Sequence, residues 1–435
     1  MQQHAASFIA HTEASTGAEL PRFIKDEFDA FLECGILADG FLRLRCGECG
    51  HATLLAFSCK RRGICPSCGA RAVSELITPV LQVVQRVVTR HLLDRTGLKA
   101  NEGHGGAVTL IHRFGSAANL NIHLHCLVLD GVYRCGDDGV PVFIEVDAPT
   151  DDELHALLHT LITRLMKLLT RRGVLVEDMG QPYLAEPDTD GDEARTLRPL
   201  QAAAVTYRIA LGPRAGHKVL TLRGAMPCET APRQPLCADI DGFSLYAAVR
   251  VEANDRKRLE QLCRYITRPA LSDERVQLNA ALQVVLKLKT PRRDGTTHLV
   301  MSPLEFMQRL AALVPRPRLH LIRFHGVLAP NAKLRALVMP QGPAEQEQAT
   351  EAAAATECEL EPVQVRPHRL SWARLLKRVF DFDMQHCLNC GAGDLKIIAA
   401  ILERPVIEKI LQHLGLEPQP PPRAPAREPG RHQAG

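Results

Sequence analysis

The sequence predicts an α+β protein in which a small N-terminal zinc-binding module precedes a domain of antiparallel strands flanked by helices, with a small C-terminal helical, knuckle-bearing region. Three observations predict it. Cys-x-x-Cys pairs crowd into residues 31–75; two strand-like stretches, 106–112 and 119–131, follow one another across a short loop; and amphipathic stretches bracket them at 74–94 and 150–172.

An N-terminal arm, 1–30, comes first, and helical spacing over 21–44 is carried by Phe23, Phe28, Phe31 and Leu32 before Gly35. The module at 31–75 contains Cys46-Gly-Glu-Cys49-Gly50-His51, then Ser58-Cys59-Lys60-Arg61-Arg62, then Cys65-Pro-Ser-Cys68-Gly69. Each knuckle turn presents two thiolates, so Cys46, Cys49, Cys65 and Cys68 form the simplest ligand set for one structural Zn²⁺. Cys59 is either a buried thiol or a ligand in an alternative set with His51, and Cys34 lies upstream. Lys60, Arg61, Arg62 and Arg71 surround the site, as a DNA-contacting module requires.

A connecting helix fills 76–104, with Leu76, Val80, Val83, Val84, Val87, Val88 and Leu92 at helical intervals. In the strand at 119–131, alternation puts Asn121, His123, His125 and Leu127 on one face and Ile122, Leu124, Cys126 and Val128 on the other. Two imidazoles about 6 to 7 Å apart along a strand can grip one divalent cation. If 106–112 pairs antiparallel with this strand, His112 brings a third nitrogen to the same point. A hairpin over 132–146 turns at Gly136 to Gly139, and Thr150 with Glu153 forms a capping box for a leucine-striped helix through Arg172. The spacing then predicts a surface loop at 186–195, strands at 203–211 and 218–222, and a helix at 255–268 that carries Tyr265 among Arg256, Lys257, Arg258, Arg264 and Arg268. Those charges lower the cost of a phenolate near a phosphate.

A basic stretch at 291–340 includes Arg316, Arg318, Arg323, Lys333 and Arg335, with a Ser-capped helix beginning at Ser302. His325 in this stretch reads as a DNA contact or as filling of the fold, and the second is favoured. An acidic linker at 341–365, a small region at 366–416 with one further knuckle, Cys387-Leu-Asn-Cys390-Gly391, and a disordered tail at 417–435 complete the chain. That last knuckle lacks an evident mate.

Apolar residues make up 46% of the 435, with no run long enough to span a bilayer. Fourteen cysteines without an export signal indicate metal binding before disulfides and a cytoplasmic, nucleoid-associated bacterial protein. The net charge of +4 argues weakly for nucleic acid, but basic clusters segregated from acidic ones argue better.

The His-hydrophobic-His strand followed by a helical tyrosine resembles the HUH endonucleases. With Leu127-Val-Leu-Asp130-Gly131-Val-Tyr133, the Cys elements and the Arg323-Phe-His325-Gly326 segment, residues 30–340 resemble the rolling-circle transposases of bacterial insertion sequences. The match is to the single-tyrosine common-region type, since Tyr246 is too far upstream to share the helix face of Tyr265. The resemblance implies an HUH-type nuclease domain at 105–290 and catalysis by Tyr265, His123 and His125. In it a Mg²⁺ or Mn²⁺ ion is held by these histidines with His112, or Gln261, as third member. It also implies single-stranded element ends as partner, contacted by Lys60, Arg61, Arg62, Arg268 and Arg323, and a 5′-phosphotyrosine intermediate. A plasmid replication initiator or relaxase of the same chemistry, and a non-enzymatic zinc-containing DNA-binding protein, are the competing readings. Oligomeric state is open.

Overall fold

The computed structural model describes residues 1–57, 74–136, 139–178, 181–184, 191–224, 235–267, 271–292, 294–315, 320–339, 377, 386–391 and 393–427. In chain order its elements are α1 (Ala5–Thr16), α2 (Arg22–Glu33), β1 (Phe41–Cys46), β2 (Ala52–Ala56), α3 (Ser74–Thr96), β3 (Gly103–His104), β4 (Gly106–Phe114), β5 (Leu120–Val128), β6 (Gly131–Cys135) and β7 (Pro141–Glu145). They continue with α4 (Asp151–Arg171), β8 (Leu175–Asp178), β9 (Gln181–Leu184), α5 (Asp192–Val205), β10 (Leu220–Arg223), β11 (Cys237–Ile240), β12 (Phe243–Tyr246) and α6 (Arg256–Ile266). The last are β13 (Val276–Leu278), β14 (Val284–Lys287), β15 (Thr296–Met301), α7 (Pro303–Leu313), β16 (Ile322–Gly326), α8 (Arg335–Val338), β17 (Leu395–Ile401) and α9 (Arg404–His413). Helices and antiparallel sheets together make an α+β chain. It forms two compact units, one of 1–33, 59–333 and 421–435, the other of 34–58 and 334–420.

In the larger unit the central sheet has the order β16-β4-β5. Its register opposes His112 to His123 and Leu110 to His125, and so puts all three imidazoles on one face. The other face carries Ile111 and Leu124, packed under Ile77 and Leu81 of α3, and Gln85 of that helix donates to Thr109 at 3.0 Å. Helix and sheet thus fix the strand pair from behind. Ile122 and Val128, expected in this core, are exposed at 43% and 36% because they sit near the two ends of β5.

The turn between β4 and β5 tucks Ala117 and Ala118 against Leu286, Leu299 and Met301 of a second sheet, order β10-β15-β14-β13. Gly326 closes β16 in a left-handed conformation, with φ of 58°, where a Cβ would lie 1.8 Å from the Gly105 carbonyl oxygen. Any side chain here would force β16 off β4. Helix α4 is capped as its sequence predicts: Thr150 Oγ1 accepts from Glu153 N, and Glu153 accepts from Thr150 N. Ser302 and Glu305 repeat the device on α7.

Two expectations are corrected. Residues 203–211 are not a strand: α5 runs through Val205 because Leu197, Leu200 and Ala204 recur at helical spacing against Phe8, Phe28 and Met307. The segment 421–427, read as part of a disordered tail, is held on α1 and α2, where Arg423 pairs with Asp29 at 2.6 Å and Glu33 at 3.1 Å and Arg427 N donates to Ser7.

The smaller unit is a three-stranded sheet, order β17-β1-β2, with Phe41 and Ala38 packed on Ile407 and Leu411 of α9. The zinc module and the C-terminal region expected as separate domains here share one sheet. Sequence proximity hides that pairing, since β1 finds β17 across almost the whole chain.

Candidate functional site

Among the described residues, two side-chain clusters have the donor set of a metal centre, and each lies within one unit. In the smaller, Cys46 and Cys49 at the end of β1 meet Cys387 and Cys390 just before β17, all four sulfurs lying within 4.8 Å of one another. Cys46 and Cys390 sulfurs are 3.7 Å apart, and those of Cys49 and Cys387 are 3.6 Å apart. A tetrahedron with Zn–S bonds of about 2.3 Å has edges of about 3.8 Å, so the four thiols already stand at zinc spacing. Cys49 N and Gly393 N each point at a sulfur, and Gly50 and Gly391 take the left-handed conformation that ends each knuckle. The His51 N–H and the Asn389 amide hold the pKa of the Cys49 thiol low, whereas at Cys46 the Cys49 N–H, which lowers it, is outweighed by burial and by the neighbouring Cys49 and Cys390 thiols, which raise it.

This set differs from the one expected. Cys65 and Cys68 lie outside the described residues, as do Cys59, Lys60, Arg61, Arg62 and Arg268. The knuckle without an evident mate is the one that meets Cys46 and Cys49. Three knuckles share the form Cys-x-x-Cys-Gly, and that repeated form is the signal by which any two could be matched.

In the larger unit, His112, His123 and His125 bring one ring nitrogen each within 4.8 Å of the others, with ring centroids 4.4 to 5.2 Å apart. His123 Nδ1 sits 3.1 Å from the Asn121 carbonyl oxygen, the kind of backbone contact that orients a ligand imidazole. His112 Nε2 meets the carbonyl oxygen of Ile266, at the last turn of α6. That contact brings the helix carrying Tyr265 to the histidine face of the sheet.

Tyr265 is 46% exposed, and its hydroxyl accepts from Lys289 Nζ at 2.9 Å, with the same ammonium 4.4 Å from the ring centroid. No spacing along the chain singles out Lys289, because its partner is 24 residues upstream. Helix α6 starts where expected, with Asp255 accepting from Arg258 N, and Ile266 is its buried anchor. Gln261, the alternative third ligand, is exposed on this helix. Arg323 lies opposite Thr109, on the α3 side of the central sheet, away from the histidines. His325 shares that side; burial first, then Arg323, lowers its pKa.

With this geometry in place, comparison with known proteins defines the class. A family model described as "Putative transposase" matches residues 106–335, more than half of the chain, and one described as "Transposase zinc-binding domain" matches residues 1–93. The chain belongs to that transposase family. Membership supports a transposase role with DNA as partner, and the zinc-domain match together with the four-thiol cluster supports a structural zinc ion. No curated protein and no solved structure matches the chain. Among the described residues no helix is long and apolar enough to cross a membrane.

Proposed function

We propose that this protein is a single-tyrosine HUH-type transposase that nicks and rejoins single-stranded DNA at element ends, driving rolling-circle transposition. The observation that carries the reading is the seating of the α6 C-terminus on His112, which brings the tyrosine-bearing turn to a three-imidazole cluster. His123, His125 and His112 would hold the catalytic divalent cation. Bound there, Mn²⁺ or Mg²⁺ would polarise the scissile phosphodiester; three nitrogen donors favour Mn²⁺ of the two.

The chain's own groups supply the rest. Tyr265 oxygen attacks phosphorus and its proton leaves to solvent; the bond from phosphorus to the 3′ oxygen breaks, giving a 5′-phosphotyrosine and a free 3′-hydroxyl. Lys289 puts its ammonium where negative charge develops on the phenol oxygen. Because the phosphodiester energy is kept in the tyrosyl ester, a second 3′-hydroxyl can reverse the step on another strand. A replication initiator or relaxase would use the same chemistry, and the transposase family match favours transposition.

The test is nicking of a single-stranded oligonucleotide carrying an element end, with Mn²⁺. Tyr265→Phe should abolish both nicking and the covalent DNA adduct, and His123→Ala should slow nicking on the order of 10²-fold or more. An adduct that survives in Tyr265→Phe sinks the assignment.

A further inference from the structure

Arg309 of α7 is 3% exposed, and among the described residues neither of its terminal nitrogens has a hydrogen-bond partner. Arg292, in the connection between β14 and β15, likewise has a terminal nitrogen that is buried and has no partner among the described residues. Both guanidinium groups lie on one ring: Arg292 is 4.0 Å from the centroid of Tyr207 and Arg309 is 5.9 Å from it. Tyr207 itself is held in a left-handed conformation, φ of 57°, in the turn after α5. That is uncommon for a bulky residue and is kept only where surrounding packing dictates it.

A buried guanidinium whose donors are unmatched is a costly arrangement, and the positive charge of Arg292 adds to the cost at Arg309. Glu305, one turn before Arg309 on α7, offsets little of this. Its carboxylate accepts from Ser302 N at 2.8 Å and pairs with Arg214 at 3.5 Å. Burial pushes Arg309 down to about 10, so it keeps its charge at neutral pH. Cation–π contact with Tyr207 compensates part of the burden. What the donors lack is an anion with several acceptor oxygens, the shape a guanidinium fork recognises.

We propose that Arg292 and Arg309, stacked on Tyr207, form a phosphate-binding subsite that takes a phosphodiester of the DNA strand close to the one Tyr265 attacks. The same connection that carries Arg292 carries Lys289, whose ammonium bonds the Tyr265 hydroxyl. Three residues span at most about 10 Å of chain, so the subsite and the nucleophile address nearby phosphates of one strand. Its placement along the strand rests on the tyrosine reading; its affinity for phosphate does not.

The experiment measures binding of a fluorescent single-stranded oligonucleotide by the full chain, loaded with zinc, across a salt series, for wild type, Arg292→Ala, Arg309→Met and Tyr265→Phe. Losing one phosphate contact should weaken binding about fivefold at 0.1 M salt relative to 1 M, and flatten the log–log salt slope by about 0.7 in each arginine variant. Arg309→Met should melt no lower than wild type, since it removes a buried unpaired charge; if it does not fold, Arg292→Ala decides alone. Unchanged affinity and slope in the arginine variants overturn the proposal. Inorganic phosphate, at ionic strength matched with chloride, should raise the wild-type melting temperature and leave Arg292→Ala unmoved. A phosphate response with an unchanged DNA slope overturns the DNA assignment in favour of a free-anion site. Nicking and adduct formation by Tyr265→Phe are read separately from the salt series, so a failure of the nicking reading and a failure of this one appear in different measurements.

Discussion

The histidine cluster and the cysteine cluster are both shaped for a metal, yet the chain builds them in opposite ways. The histidines come from β4 and β5, neighbouring strands joined by a short turn, and the register that pairs His112 with His123 is set by the hairpin itself. The thiols come from ends of the chain 344 residues apart, brought together only when β17 adds to β1. A local pattern carries a local site almost whole. A distant one leaves only the form of each half, and reading along the chain then pairs each half with its nearest look-alike.

The largest effect that sharpens this contrast is on zinc. Cys387→Ser and Cys390→Ser should lose the metal, read as zinc stoichiometry by native mass spectrometry, and with it the unfolding transition of the smaller unit. Its apolar core of Ala38, Phe41, Ile407 and Leu411 is slight, and structural zinc in such modules supplies on the order of 10 kcal/mol. Cys65→Ser and Cys68→Ser should keep the ion. The reverse result would restore the nearest-knuckle set.

Next comes Lys289, a contact made between elements rather than within one. Replacing it with Met should slow nicking on the order of 10- to 100-fold, with little change in DNA affinity, because the ammonium faces the phenol oxygen and not the strand. Parallel losses in rate and affinity would make Lys289 a DNA contact instead.

At the local end the effect is smallest. The Thr150 N–H, together with Arg95, holds the Glu153 carboxyl below its ordinary value. Such a group stabilises fully above its unfolded pKa, and the gain is lost as pH falls through the folded value. Glu153→Gln should therefore lower the melting temperature at pH 7, a deficit that closes as the pH falls below the ordinary glutamate range. A deficit independent of pH would mean the carboxylate is not the stabilising form.

The same division governs what was legible. Helices α2, α3, α4, α6 and α7 and the β4–β5 pair were read from periodicity and capping residues that act within a few positions. Residues 203–211 misled because Val205, Tyr207 and Ile209 alternate like a strand, whereas the core selects the helical stripe of Leu197, Leu200 and Ala204. Tyr265 and the histidines are singled out by pattern and resemblance. Lys289 on the phenol, Arg309 under Tyr207 and Cys387 beside Cys49 are not, since each depends on tertiary contact that no spacing along the chain encodes.

The pairing of β17 with β1 also orders events at birth. Cys46 and Cys49 emerge from the ribosome early, and 344 residues separate Cys46 from Cys390, so at ordinary rates of translation they wait on the order of tens of seconds for their partners. The smaller unit cannot close until β17 emerges, and a chain terminated before that strand never acquires its sheet or its four-thiol site.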